Sequence, residues 1–166
     1  YANVLSLDLG MFYKRRDLTK VVNGKNPIIK HEYLGDSVEG KDVLIVDDMI
    51  SSGDSVLDIA QELKKMKAKR VYVAVAFGLF TEGVQRFDEF YKKGIITKVL
   101  STNLTYRKEE LKKAPWYVEV DVSKFVSLLI DTLNHDQSLH SLLDPSAKIH
   151  ALLKRVKGQD SSTNNR

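Results

Sequence analysis

"VLIVDDMISSGDS", residues 43–55, sets an apolar run against two aspartates and then against a stretch built almost wholly of Ser, Gly and Asp. Val43–Val46 has the length and composition of a buried parallel strand. From Val56 the period changes: Val56, Ile59, Ala60, Leu63 and Met66 recur at helical spacing on one face. A strand, a short polar turn and a helix therefore follow in order. In a parallel α/β sheet, ligands bind beyond the carboxyl ends of the strands, and Asp47 and Asp48 sit at such an end. The turn Ser51, Ser52, Gly53, Asp54, Ser55 leads into a helix N-terminus, whose N–H groups lack intrahelical partners and carry a positive dipole end. Such a turn suits a phosphate monoester, and the acids before it suit sugar hydroxyls or Mg²⁺. The pattern describes a receptor for a phosphorylated sugar. Spacing alone equally admits a strand ending in acids, with Ser and Asp as ordinary helix N-caps. The Gly-Lys-Ser/Thr element of a Walker loop is absent.

The surrounding chain repeats this alternation. "RVYVAVAF" (70–77) reads as a second buried strand, Ile95–Leu100 as a third and Trp116–Val120 as a fourth. "EGVQRFDEFYKKG" (82–94) reads as a helix with Val84, Phe87 and Tyr91 on one face and Gly94 as its stop. Ser123 caps a helix carrying Phe125, Val126, Leu129, Ile130 and Leu133, and Leu139–Val156 reads as a loop and a further helix. Residues 4–13 read as extended. The polar connection 18–41 reads as a long loop with a short strand around Ile28–Tyr33. The expected architecture is one α/β, parallel-sheet domain with flanking helices over residues 1–156, followed by a polar, unstructured tail over 157–166. No internal repeat is visible.

Composition narrows the classes. The 166 residues are 43% hydrophobic and 29% charged, enough for one real core. There is no cysteine, so neither disulfides nor thiolate chemistry is available. No apolar run approaches the roughly 20 residues that span a bilayer, no secretory signal is visible, and the setting expected is cytoplasmic. The chain starts at Tyr1 and reads as a fragment. The net charge of +4 is mild; "LKKMKAKR" (63–70) reads as a solvated helix end and not as a nucleic-acid surface. His31, His135, His140 and His150 form no zinc motif. Trp116, Tyr117 and the aromatics of 84–91 read as packing.

The acid pair and its turn resemble the phosphoribosyl-pyrophosphate loop of type I phosphoribosyltransferase folds: an apolar strand, two acids, a few residues, then Thr/Ser-Gly-x-Thr/Ser. "YKRRD" (13–17) resembles the Lys-Arg-Arg loop of ribose-phosphate pyrophosphokinases. "VEGKDVLIVDD", "KAKRVYVAVAFGLF", "VLSTN" and "DQSLHSLLD" are similar to further segments of that family, so the likeness covers roughly residues 9–145 and the second half of the family's chain. The resemblance implies a phosphoribosyltransferase-type domain and diphosphate transfer from ATP, with Mg²⁺, to ribose 5-phosphate, giving phosphoribosyl pyrophosphate and AMP. It implies Lys14 and Arg16 as the catalytic pair on a mobile loop, Asp47 and Asp48 on the ribose hydroxyls and their metal, and residues 51–55 on the 5-phosphate. A homo-oligomer is implied, with no nucleic-acid or membrane partner. The family's N-terminal half, which supplies most of the adenine site, does not resemble anything here, so the fragment is expected to be inactive alone. Ser51 stands where an Asp is frequent, Asp54 brings a negative side chain into the phosphate turn, and Phe77-Gly78 replaces a Thr-His. Two alternatives share the acid pair: a transferase that consumes phosphoribosyl pyrophosphate, and a non-catalytic, synthetase-like regulatory subunit.

Overall fold

The computed structural model describes residues 2–16 and 28–163. Part of the polar connection expected over 18–41 thus lies outside the described residues. The chain forms two compact units, one of Gly10–Val122 and one built from the residues up to Leu9 and those from Ser123 onward.

The Gly10–Val122 unit holds both sheets. β1 (Met11–Arg16) and β2 (Ile28–Leu34) make an antiparallel ribbon in which Phe12 lies opposite Tyr33, ring centroids 5.1 Å apart. β3 (Asp42–Ile50), β4 (Arg70–Gly78), β5 (Lys98–Thr102) and β6 (Tyr117–Val120) form a four-stranded parallel sheet in that spatial order. The helices α2 (Asp54–Lys65), α3 (Gln85–Lys92) and α4 (Glu109–Lys113) are the crossovers. All four expected strands exist, and the α/β parallel-sheet class holds.

The core lies on one face of this sheet. Val71, Val73, Val75 and Val99 point into it and meet Leu57, Ala60 and Leu63 of α2 and Phe87 of α3, all buried. Phe80, Phe87 and Trp116 close its lower end: Phe87 stacks on Trp116 at 5.1 Å and meets Phe80 edge-on at 5.1 Å. The Trp116 indole Nε1–H donates to Asp88 Oδ1 at 2.6 Å, giving the buried ring its polar partner. Trp116 and the aromatics of 84–91 are packing residues, as the sequence indicated.

The other sheet face differs from expectation. Leu44 and Val46, read as part of a strand buried on both sides, are 43% and 46% exposed, and Val120 is exposed as well. The cause is topological. Strands laid down in sequence order with right-handed crossovers send every connection over the same face.

α2 ends on a left-handed Lys67 (φ 64°), with the Ala68 N–H reaching back to the Leu63 carbonyl at 3.0 Å. Lys64 Nζ donates to the Ala68 and Lys69 carbonyls, so part of the basic stretch 63–70 caps the helix end. At the start of β4, Arg70 pairs with Asp42 on β3 and holds that carboxyl below its usual range.

The second unit carries α1 (Ala2–Leu5), α5 (Ser123–Asn134), α6 (His140–Leu143) and α7 (Ser146–Thr163). α1 corrects the extended reading of residues 4–13: the first residues are helical, and extended pairing begins only at Met11. A short apolar run carries no periodicity that separates the two. α5 begins at Ser123 as expected, yet none of its residues is buried. α7 runs into the stretch from 157 that composition reads as a polar tail.

Truncating Trp116 to Ala removes a stacked, fully buried ring. It should lower stability by about 3–5 kcal/mol, seen as a lower urea midpoint at unchanged m-value. Trp116→Phe, which keeps most of the ring volume, should fall between that variant and the wild type.

Candidate active site

β3 is longer than its apolar run. Backbone pairing to β4 continues through the acids, with Asp47 opposite Val75 and Met49 opposite Phe77. Asp47 and Asp48 therefore lie on the last part of the strand, which extends past the apolar run Val43–Val46. Both acids are exposed, and Asp47 Oδ1 accepts the Asp48 N–H at 2.9 Å. This bond fixes one oxygen of Asp47 and leaves the exposed Asp48 carboxylate adjacent to it.

The turn that follows is tied down from the side. The Leu79 N–H donates to the Ile50 carbonyl at 2.8 Å and the Thr81 N–H to the Ser51 carbonyl at 3.0 Å. The β4–α3 connection thus runs alongside the start of the turn and sets its path. Gly53 is the N-cap of α2 at φ 97°, a left-handed conformation that strains L side chains. Space excludes a side chain there too, since a Cβ on Gly53 would stand 2.5 Å from Phe87 Cε2. The Gly53 carbonyl accepts the Leu57 N–H at 3.0 Å and starts the helix ladder. The first turn of α2 consequently presents N–H groups beyond the reach of any intrahelical carbonyl, next to an acid pair at the carboxyl end of a parallel strand.

Asp54, the residue least suited to an anion site, is engaged by side chains. Its Oδ2 accepts the Ser52 hydroxyl at 2.9 Å, and its Oδ1 is paired with the Arg86 guanidinium on α3. Asp54 raises the Arg86 pKa above its ordinary value, and the charges of Asp58 and Glu82 act in the same direction. Sequence reading missed Arg86. It lies 32 residues from Asp54, and no local pattern joins them.

Lys14 and Arg16 lie on β1, the backbone of Lys14 opposite His31 and that of Arg15 opposite Lys30. Where a mobile loop was expected, the chain is strand through Arg16; residues 17–27 lie outside the described residues. The structure thus joins Asp47, Asp48 and residues 51–55 in one strand–turn–helix unit, with Lys14 and Arg16 on a separate two-stranded ribbon. The "VLSTN" segment proves structural: Asn103 donates to Asp121 Oδ1 at 2.7 Å and accepts the Val122 N–H at 3.0 Å, tying the ends of β5 and β6 together.

The model of the phosphoribosyl transferase domain matches residues 1–113. The chain belongs to that family. The curated relatives that this phosphoribosyl transferase domain matches include ribose-phosphate pyrophosphokinases. It is 35% identical over 102 residues to the ribose-phosphate pyrophosphokinase of Thermococcus kodakarensis, covering 61% of this chain and 34% of that one. It is 37% identical over 103 residues to that of Mycoplasma genitalium, covering 61% and 29%. The match therefore spans about a third of the length of such relatives. The crystal structure of phosphoribosylpyrophosphate synthetase from Mycobacterium smegmatis superposes with a TM-score of 0.58 at 23% identity, over 64% of this chain and 34% of that one, a likeness of fold.

Within this phosphoribosyl transferase domain no cluster of three or more His, Asp or Glu is arranged to hold a metal ion among the described residues. Among them, too, no helix is long and apolar enough to cross a membrane.

Gly53→Ala combines a left-handed backbone with a ring collision. It should destabilise the domain by about 1–3 kcal/mol, measured by thermal unfolding. The companion Gly40→Ala (φ 72°) has nothing within 4 Å of its Cβ and carries the backbone penalty alone, so it should be the milder of the two.

Proposed function

We propose that this chain carries the sugar-phosphate half and the cationic strand of a ribose-phosphate diphosphokinase, which transfers diphosphate from ATP to ribose 5-phosphate. The observation that carries the proposal is the strand–turn–helix unit of Asp47, Asp48 and residues 51–55, in a domain whose curated relatives are ribose-phosphate pyrophosphokinases. Oxygen of the sugar's 1-hydroxyl attacks the β-phosphorus of ATP. The bond from that phosphorus to the oxygen bridging to the α-phosphorus breaks, AMP leaves with the electron pair, and the hydroxyl proton is released. The sugar is the nucleophile, so no protein nucleophile is required.

The roles follow from charge and geometry. Asp47 and Asp48 accept hydrogen bonds from the ribose hydroxyls. Ser51, Ser52, Gly53, Asp54 and Ser55 surround the 5-phosphate through backbone N–H groups and hydroxyls at the positive end of α2. Lys14 contributes a point charge and Arg16 a planar fork toward the moving diphosphoryl group, where charge builds in the transition state. Mg²⁺ fits the donor chemistry: two exposed carboxylates give a hard cation one or two oxygen ligands, and this ion ordinarily completes its shell with water and substrate phosphates. When bound, it supplies neutralisation of the ATP phosphate charge. A homo-oligomer, a cytoplasmic setting and the absence of nucleic-acid or membrane partners go with this reading.

One observation favours a second reading. Asp54 already engages a hydroxyl and a guanidinium at the turn, as expected if the site had lost its substrate and the chain served as a synthetase-like regulatory subunit.

Full-length protein incubated with ATP, Mg²⁺ and ribose 5-phosphate should release AMP only when the sugar phosphate is present. Lys14→Ala and Arg16→Ala should each lower that rate about 10²- to 10³-fold. Absence of AMP from folded protein at saturating sugar phosphate would move the assignment to the regulatory subunit or to a transferase that consumes phosphoribosyl pyrophosphate.

A further inference from the structure

The Asp54 carboxylate is an anion supplied by the chain itself, at the turn proposed to take an anion. One oxygen accepts from Ser52 Oγ and the other is paired with Arg86. A carboxylate and a phosphate monoester compete for the same partners, hydroxyl and guanidinium donors. Arg86 is well placed for such a change of partner. Its contact with Asp54 is made through Nη1, its side chain is 44% exposed, and a guanidinium carries five N–H donors. The neighbouring Phe87 closes against Gly53, so consecutive residues of α3 meet consecutive residues of the turn. Asp58 and Glu82 add negative charge around Arg86. They attract the guanidinium on leaving Asp54 but lie outside the turn.

We propose that Asp54 is an internal stand-in for the substrate's phosphate, and that Arg86 is a phosphate-binding residue which exchanges Asp54 for the 5-phosphate when ribose 5-phosphate binds. The inference rests on the sugar-phosphate reading of the site and adds to it a residue and a built-in competitor. Affinity is set by the difference between two ion pairs that share one guanidinium, so the free protein holds its own turn closed. Phosphate-bearing sugars open it and unphosphorylated ones do not.

Calorimetric titration of ribose 5-phosphate, and of ribose as the phosphate-free control, tests this on four forms of the full-length protein: wild type, Asp54→Ser, Arg86→Ala and the double variant. Thermal unfolding of each form verifies folding. Asp54→Ser should tighten ribose 5-phosphate binding roughly two- to fivefold, the scale of an exposed ion pair, and leave ribose unchanged. Arg86→Ala should weaken ribose 5-phosphate binding about ten- to hundredfold, the scale of charged hydrogen bonds. The double variant should bind better than Arg86→Ala, because the unpaired Asp54 carboxylate no longer repels the phosphate, and stay weaker than wild type, because the guanidinium is gone. Arg86→Lys, which keeps the charge without the fork, should recover only part of the loss.

Recovery of wild-type affinity in the double variant would overturn the proposal and make Arg86 a mere neutraliser of Asp54. So would wild-type binding that Asp54→Ser leaves unchanged or weakens. Absence of heat from wild type and Asp54→Ser alike would instead remove the sugar-phosphate reading itself. Binding that emerges only in Asp54→Ser would support the stand-in directly.

Discussion

The Phe87 ring lies where a side chain on Gly53 would have to be. That single close approach joins the hydrophobic core to the polar turn. On one side Phe87 stacks on Trp116 and meets Phe80, so its position is fixed by buried aromatic neighbours. On the other it holds Gly53 at a left-handed φ, and this in turn decides where α2 begins and which N–H groups its first turn presents. A loop binding an anion through backbone donors needs a rigid backbone, because each donor out of line is a hydrogen bond lost. Here the rigidity comes from the core, supplemented by the Leu79 and Thr81 amides on the Ile50 and Ser51 carbonyls.

Much of this was legible in the sequence. The helical face Val56, Ala60 and Leu63 is buried as spacing indicated, and the strands around 43, 70, 98 and 117 follow from their β-branched runs. What escaped has physical reasons. β3 reads as the apolar run Val43–Val46 because aspartate is poorly suited to strands, yet pairing with β4 overrides that preference over the whole of Asp42–Ile50. α1 was missed because "ANVL" is too short to show a period. The exposure of Leu44 and Val46 depends on the spatial order of the strands, which local composition does not encode.

The candidate site divides in the same way. Asp47, Asp48 and the turn residues are contiguous, so their grouping could be read along the chain. Arg86 joins them only through the approach of α3 to the turn at Gly53 and Asp54, a relation between distant parts of the sequence. The basic residues of β1 were recognisable as a motif, while their antiparallel partner strand and its register, Lys14 facing His31 and Arg15 facing Lys30, could not be counted across a long polar connection.

The order of the parallel strands also bears on how the domain assembles. Each strand pairs with the next one along the chain, as with Asp42 and Arg70, 28 residues apart. No pairing in this sheet has to wait for a distant segment, and the entropy of closing each connection stays small. The sheet is thus a series of similar strand–helix–strand steps. The first of these, β3–α2–β4, already contains both acids and the whole turn, and the second brings in α3 with Phe87 and Arg86. The side chains that would recognise a sugar phosphate at the turn therefore lie within two consecutive strand–helix steps at one edge of the sheet.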